Sequence, residues 1–148
     1  KHSTPLHVYA TRAEGVDYSK VHLEGWRTQQ ELLLELSKGG GFGLVWGNSE
    51  NPAEERDYYK ENVSYKLTTY LAAGIPVVVP DYLSNVDYIR EKGLGFVVSS
   101  LEEASRVVQE CTEEEYDQMV TRAKYTAYLI KNGYFTKKLF IDSMMLLD

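Results

Sequence analysis

One cysteine, four prolines and two tryptophans in 148 residues leave this sequence short of several common devices. Cys111 has no partner for an intrachain disulfide, so a packed core must hold the chain, and the expected setting is reducing and cytoplasmic. Basic residues are scarce as well: 16 Lys and Arg stand against 22 Asp and Glu, a net charge of −6. That sign argues against nucleic acid as a general partner, although a local basic pocket can still hold a small anion. No apolar run approaches the length needed to span a membrane. The start, Lys1-His2-Ser3-Thr4-Pro5, lacks signal-peptide character and enters a strand abruptly, as a piece cut from a longer protein would. A leader upstream stays open. His2, His7 and His22 have no partners at metal-ligand spacing, so no metal is expected.

What remains is ordinary for a soluble globular protein: 43% hydrophobic and 26% charged residues, enough for one domain over residues 1–148. Short apolar runs alternate with helical patterns. Leu6–Ala10, Val21–Leu23, Phe42–Trp46, Pro76–Pro80 and Gly95–Val98 read as strands. The fourth is the clearest, because consecutive β-branched residues suit a strand buried on both faces. Thr28-Gln29-Gln30-Glu31, Ser100-Leu101-Glu102-Glu103 and Thr112-Glu113-Glu114-Glu115 are capping boxes that open helices. Asn62 is placed to cap a helix ending at Gly74, and Ser84 or Asn85 one ending at Gly93. The helix from Thr112 runs to about Asn132-Gly133, and another follows from about Thr136 to Leu147. Strands alternating with helices predict a doubly wound, Rossmann-like parallel sheet of about five strands with helices on both faces. Gly47 to Glu61 is polar without periodicity and reads as a long loop.

In an open parallel sheet ligands bind beyond the carboxyl ends of the strands, near helix N-termini. That rule selects Thr11-Arg12, Gly25-Trp26, the stretch from Gly47 to Lys66, and Asp81 to Asn85. A dinucleotide fingerprint is absent, since Gly39-Gly40-Gly41-Phe42-Gly43 ends a helix and precedes a strand, the reverse of the required order. Lys66 stands out. A cation one turn into a helix is disfavoured by the helix dipole unless an anion sits at the N-terminus, or unless the lysine bends away into solvent. The acidic residues Glu14, Asp17, Glu50, Glu54, Glu55 and Asp57 read as solvated faces. No catalytic base is evident.

The run from Asn62 to Val79, with Lys66-Leu67, Tyr70-Leu71-Ala72-Ala73-Gly74 and Pro76-Val77-Val78, resembles the helix-to-strand signature of bacterial glycosyltransferases of the GT-B architecture. Strands and helices upstream and downstream, to about Val108, fall in the same order. Within that family the run is similar to the glucosyltransferases that extend glycans on serine-rich-repeat adhesins, with related galactofuranosyl- and hexosyltransferases also in range. The resemblance implies the C-terminal, nucleotide-sugar-binding half of a two-domain enzyme, whose N-terminal domain supplies the acceptor site. Its implied donor is a UDP-sugar used as co-substrate without a metal, and its implied acceptor a glycan or glycoprotein. The isolated piece is expected to transfer nothing.

Residue by residue, the resemblance makes Lys66 a ligand of the diphosphate, with Asn62 and Tyr65 beside it. It aligns Thr69 with a glutamate that holds ribose in many members, and one neutral hydroxyl is a weaker partner than a carboxylate. Thr11 and Arg12 fall where the family's loop approaches the sugar-phosphate, although a solvated arginine is the readier explanation. Gly25 and Trp26 fall in the base-binding loop, with Trp26 either covering the uracil or, the favoured reading, plugging the core. Trp46 and Tyr70 read as packing residues. Two rivals remain: a UDP-sugar epimerase of the same fold and a non-catalytic α/β binding module. The last helix carries Leu139, Phe140, Ile141, Met144, Met145, Leu146 and Leu147, more apolar surface than one core needs. The expectation is an exposed docking face for the N-terminal domain, or a homo-oligomer contact.

Overall fold

The structure, a computed structural model, describes residues 4–47 and 52–146. It is a mixed α/β fold in which the five expected strands are all present and all parallel, the first four shorter than the sequence runs and the fifth as expected. They do not form one continuous sheet. Among the described residues β1 (His7–Val8) pairs only with β2 (His22–Leu23), while β3 (Gly43–Leu44), β4 (Val77–Pro80) and β5 (Gly95–Val98) form a separate three-stranded sheet in that order. The five-stranded expectation is corrected on this point. The first two strands have two residues each, with an exposed histidine at each first position and a half-buried Val8 or Leu23 at the second, so little apolar area draws them onto their neighbours.

The second sheet is covered on both faces. Val77 and Val79 of β4 point into a core with Val45, Leu67, Leu71, Leu83, Ile89 and Leu94. Val78 points the other way, to Val98 and Ala104, with Phe42, Trp46 and Phe96 packed around them. This is the period-2 alternation of a strand buried on both sides. α3 (Tyr65–Ala73) and α4 (Val86–Lys92) cover the first face, and α5 (Leu101–Glu110) contributes Ala104, Val107 and Val108 to the second. α1 (Gln29–Lys38) packs on α3, as does α6 (Glu113–Lys131).

Helix ends follow local chemistry. The boxes at Thr28 and Thr112 both close reciprocally, each threonine oxygen accepting the N3 amide while Glu31 or Glu115 reaches back to the cap amide. Ser100 accepts from the Glu103 amide, but the Glu103 carboxylate turns to Ser99 instead, so this third box is only half formed. α3 and α4 end at Gly74 and Gly93 in left-handed conformation, where a Cβ would be strained.

Two expectations are overturned. Gly47 to Glu61 is not all loop: α2 (Pro52–Glu61) occupies most of it. Proline at the first helical position, Glu54 and Glu55 in the first turn and Lys60 in the last are helix signals. Periodicity misses them because, among the described side chains of α2, only Glu55 and Tyr59, one turn apart, are turned inward. Positions 48–51, Glu50 among them, lie outside the described residues. Asn62 caps nothing in α3, whose N-cap is Ser64; its side-chain amide donates to Tyr58 O at the end of α2.

α7 (Tyr134–Met145) docks on α6 and buries none of its residues. Phe140 is 67% and Met144 63% exposed, so the apolar breadth seen in the sequence stands open on the surface. Leu147 falls outside the described residues. Among the described residues no helix is long and apolar enough to cross a membrane.

Candidate functional site

The carboxyl ends of β3 and β4 converge on the start of α3. Ser64 is buried and supplies no side-chain cap, so the helix presents its first amides without the oxygen that usually satisfies one of them. Lys66 is the second residue of the helix, inside its first turn. Its side chain is exposed, and Nζ donates to the carbonyl of Trp46, just past β3, at 2.9 Å. The ammonium is therefore held over the strand end rather than bent away into solvent, with further protons left to donate. Cationic charge, uncapped amides and the positive end of a helix dipole together suit an anion.

Tyr65 is 66% exposed beside Lys66, and Asn62 lies at the junction of α2 and α3. Thr69 is turned inward at 6% exposure, along with Leu67, Leu71 and Ala73. Its hydroxyl does not face the open site. Tyr70 packs on Gly43, where a Cβ would overlap its ring, so this glycine is required by the close approach of α3 to β3. Trp46 packs on the second core face; both aromatics are packing residues, as the sequence suggests.

The first two loops follow the strands of the separate two-stranded sheet. Thr11 and Arg12 are exposed, with the Arg12 guanidinium over the Tyr18 ring at 5.7 Å. Gly25 has a φ of 83°, and Trp26 is 65% exposed rather than plugging the core. The Trp26 backbone is fixed instead: Arg27 donates to its carbonyl at 3.1 Å and to Glu35 at 2.7 Å. Both of these bonds come from Arg27, and the ring beside it points outward. His7 Nδ1 meets Glu24 at 2.7 Å and stacks on His22 at 4.9 Å, and among the described residues no three His, Cys, Asp or Glu side chains cluster as metal ligands would.

Sequence reasoning missed Glu55. It is half-buried, and its carboxylate accepts from the Tyr82 hydroxyl at 3.2 Å. Arg56 covers the Tyr82 ring at 5.2 Å, and Tyr59 lies 6.2 Å from it. Burial, reinforced by the Glu55 hydrogen bond and charge, pushes the Tyr82 hydroxyl up to about 12, so it remains a proton donor at neutral pH. Ser84 ties α2 down, donating from its amide to Tyr59 O at 3.0 Å and from its hydroxyl to Asn62 O at 3.3 Å. The available signal was the i, i+4 pair Glu55–Tyr59, which marks an inward face on an otherwise polar helix.

In this α/β chain a lysine and an uncapped helix start meet at the strand ends, an arrangement that suits an anion. The family model for the Glucosyltransferase 3-like C-terminal domain matches residues 1–143. Glucosyltransferase 3 of Streptococcus gordonii is 56% identical over 144 residues, covering 97% of this chain and 43% of that protein. Glucosyltransferase 3 of Streptococcus parasanguinis is 35% identical over 144 residues, covering 97% and 42%. Beta-1,6-galactofuranosyltransferase WbbI of Escherichia coli (strain K12) is 31% identical over 100 residues, covering 66% and 30%. The chain belongs to the Glucosyltransferase 3-like C-terminal domain family. It spans less than half the length of the glucosyltransferases it matches.

Proposed function

We propose that this chain binds the UDP part of a UDP-sugar donor, UDP-glucose being the first candidate, as the C-terminal half of a cytoplasmic GT-B hexosyltransferase. In this reading an N-terminal domain completes the cleft and brings the glycan or glycoprotein acceptor, so the chain alone transfers no sugar. The relatives carry transferase names, which supports transfer over epimerisation. The observation that carries the reading is Lys66: its ammonium is held over the carboxyl end of β3 beside the uncapped start of α3. There it would neutralise charge developing on UDP as it leaves, which is electrostatic stabilisation supplied by the protein itself.

The test is calorimetric titration of UDP into the chain and into Lys66→Ala. A hydrogen bond to a charged group contributes roughly 1.5–3 kcal/mol, so Kd should rise about tenfold to a hundredfold. Lys66 is exposed, so the variant should fold. An unchanged Kd in the folded variant removes Lys66 from the site.

A further inference from the structure

The elbow between α6 and α7 carries a chemistry independent of the nucleotide reading. Asn132 caps α6, and Gly133 follows it. Before a glycine, the next backbone nitrogen most readily attacks an asparagine side-chain amide, because no Cβ crowds the approach. The other asparagines, Asn48, Asn51, Asn62 and Asn85, precede Ser49, Pro52, Val63 and Val86, which crowd that approach or, in proline, lack the N–H. Asn132 is also exposed, so water and base reach it.

Three features hold the pair unreactive while the elbow is closed. The Asn132 side-chain amide donates to Tyr128 O at 2.8 Å. The Gly133 amide, whose nitrogen would be the nucleophile, donates to Ile130 O at 3.1 Å. With ψ at 9°, Asn132 also keeps that nitrogen beside its own amide rather than beside its side chain. These locks lie at the end of a helix, where opening is easiest, and α7 beyond them buries none of its residues.

We propose that Asn132 is a site of spontaneous deamidation, gated by opening of this elbow, and that the product loosens α7 from α6. In the open elbow the Gly133 amide gives its proton to solvent base, and its nitrogen bonds to Asn132 Cγ. The Cγ–Nδ2 bond breaks, ammonia leaves with a proton from water, and a cyclic imide remains. Water then opens the imide at either carbonyl, giving aspartate or isoaspartate. The new carboxylate has no proton for Tyr128 O, and its charge sits at the C-terminal end of α6, where the helix dipole disfavours it. Lys137, which donates to the Asn132 carbonyl at 3.0 Å, is near enough to pair with that charge, but an exposed pair contributes little.

The experiment incubates the folded chain and a urea-unfolded sample at mildly alkaline pH and follows each asparagine by peptide mass spectrometry. Acid should accumulate first at Asn132 in the unfolded sample. In the folded chain it should accumulate there about tenfold more slowly, since two hydrogen bonds must open first. A second arm compares amide hydrogen exchange in the unmodified chain and Asn132→Asp. Amides of α7 and the last turn of α6 should exchange roughly tenfold faster in the variant, with β4 unchanged. No acid at Asn132 in the folded chain, or equal rates in the two samples, overturns the gated site. Unchanged α7 exchange in Asn132→Asp, or an increase shared equally by β4, overturns the loosening.

Discussion

β4 and β1 are both parallel strands, yet they are held differently. All four residues of β4 are buried, between two bonded neighbours and two helical layers. β1 has two residues, one neighbour and an exposed first side chain. Hydrogen-bond pattern is common to both, so burial makes the difference. The contrast extends to function: the candidate anion site is built at the carboxyl ends of β3 and β4, on backbone that the core holds still, whereas the loops after β1 and β2 rest on thin support.

The sharpest way to break the comparison is to truncate one side chain in each region. Ile89, fully buried under β4, should lose about 2–5 kcal/mol on mutation to alanine, because the cavity adds to the lost transfer energy. Val8→Ala in β1 should stay within about 1 kcal/mol, since its side chain is only half-buried. Urea unfolding of both variants checks this, and equal losses would erase the distinction between the two sheets. Next comes Gly43→Ala, expected to cost about 1–3 kcal/mol by forcing Tyr70 off the strand. Combined with Tyr70→Ala, which removes the ring and its Cγ, the added cost should shrink, and a double-mutant cycle reads that coupling directly.

The smallest effect concerns acid. Thr112 hydrogen bonds hold the Glu115 carboxyl below its ordinary value, and Ser99 does the same for Glu103. A lowered folded value contributes stability above the unfolded value near 4.5, and that contribution is lost as pH falls through the folded one. Glu115→Gln should therefore flatten the stability curve below about pH 4.5, measured by thermal melts from pH 3 to 7.

Legibility in the sequence follows the same contrast. Val77-Val78-Val79, the caps at Thr28 and Thr112 and the glycine stops at Gly74 and Gly93 are local signals, and all appear where expected. How strands assemble is not local: nothing in Leu6–Ala10 says whether the first pair joins the other three. α2 was hidden because a polar helix with two inward residues has almost no periodicity. Lys66 was readable from its place in a helix, whereas the inward Thr69, the outward Trp26 and the tether between Glu55 and Tyr82 depend on neighbours distant in sequence. Arg27 bonds the Trp26 carbonyl beside an outward ring, and packing of α3 on two sides decides Thr69.

The central claim is that a diphosphate binds at the uncapped start of α3. Its most direct test is amide NMR of the isotopically labelled chain during titration with UDP. The account predicts the largest shift changes at Tyr65, Lys66, Leu67 and Gly47, with α5 and α6 nearly still. Saturable changes confined to α5 or α6, with the α3 amides unmoved, would contradict it.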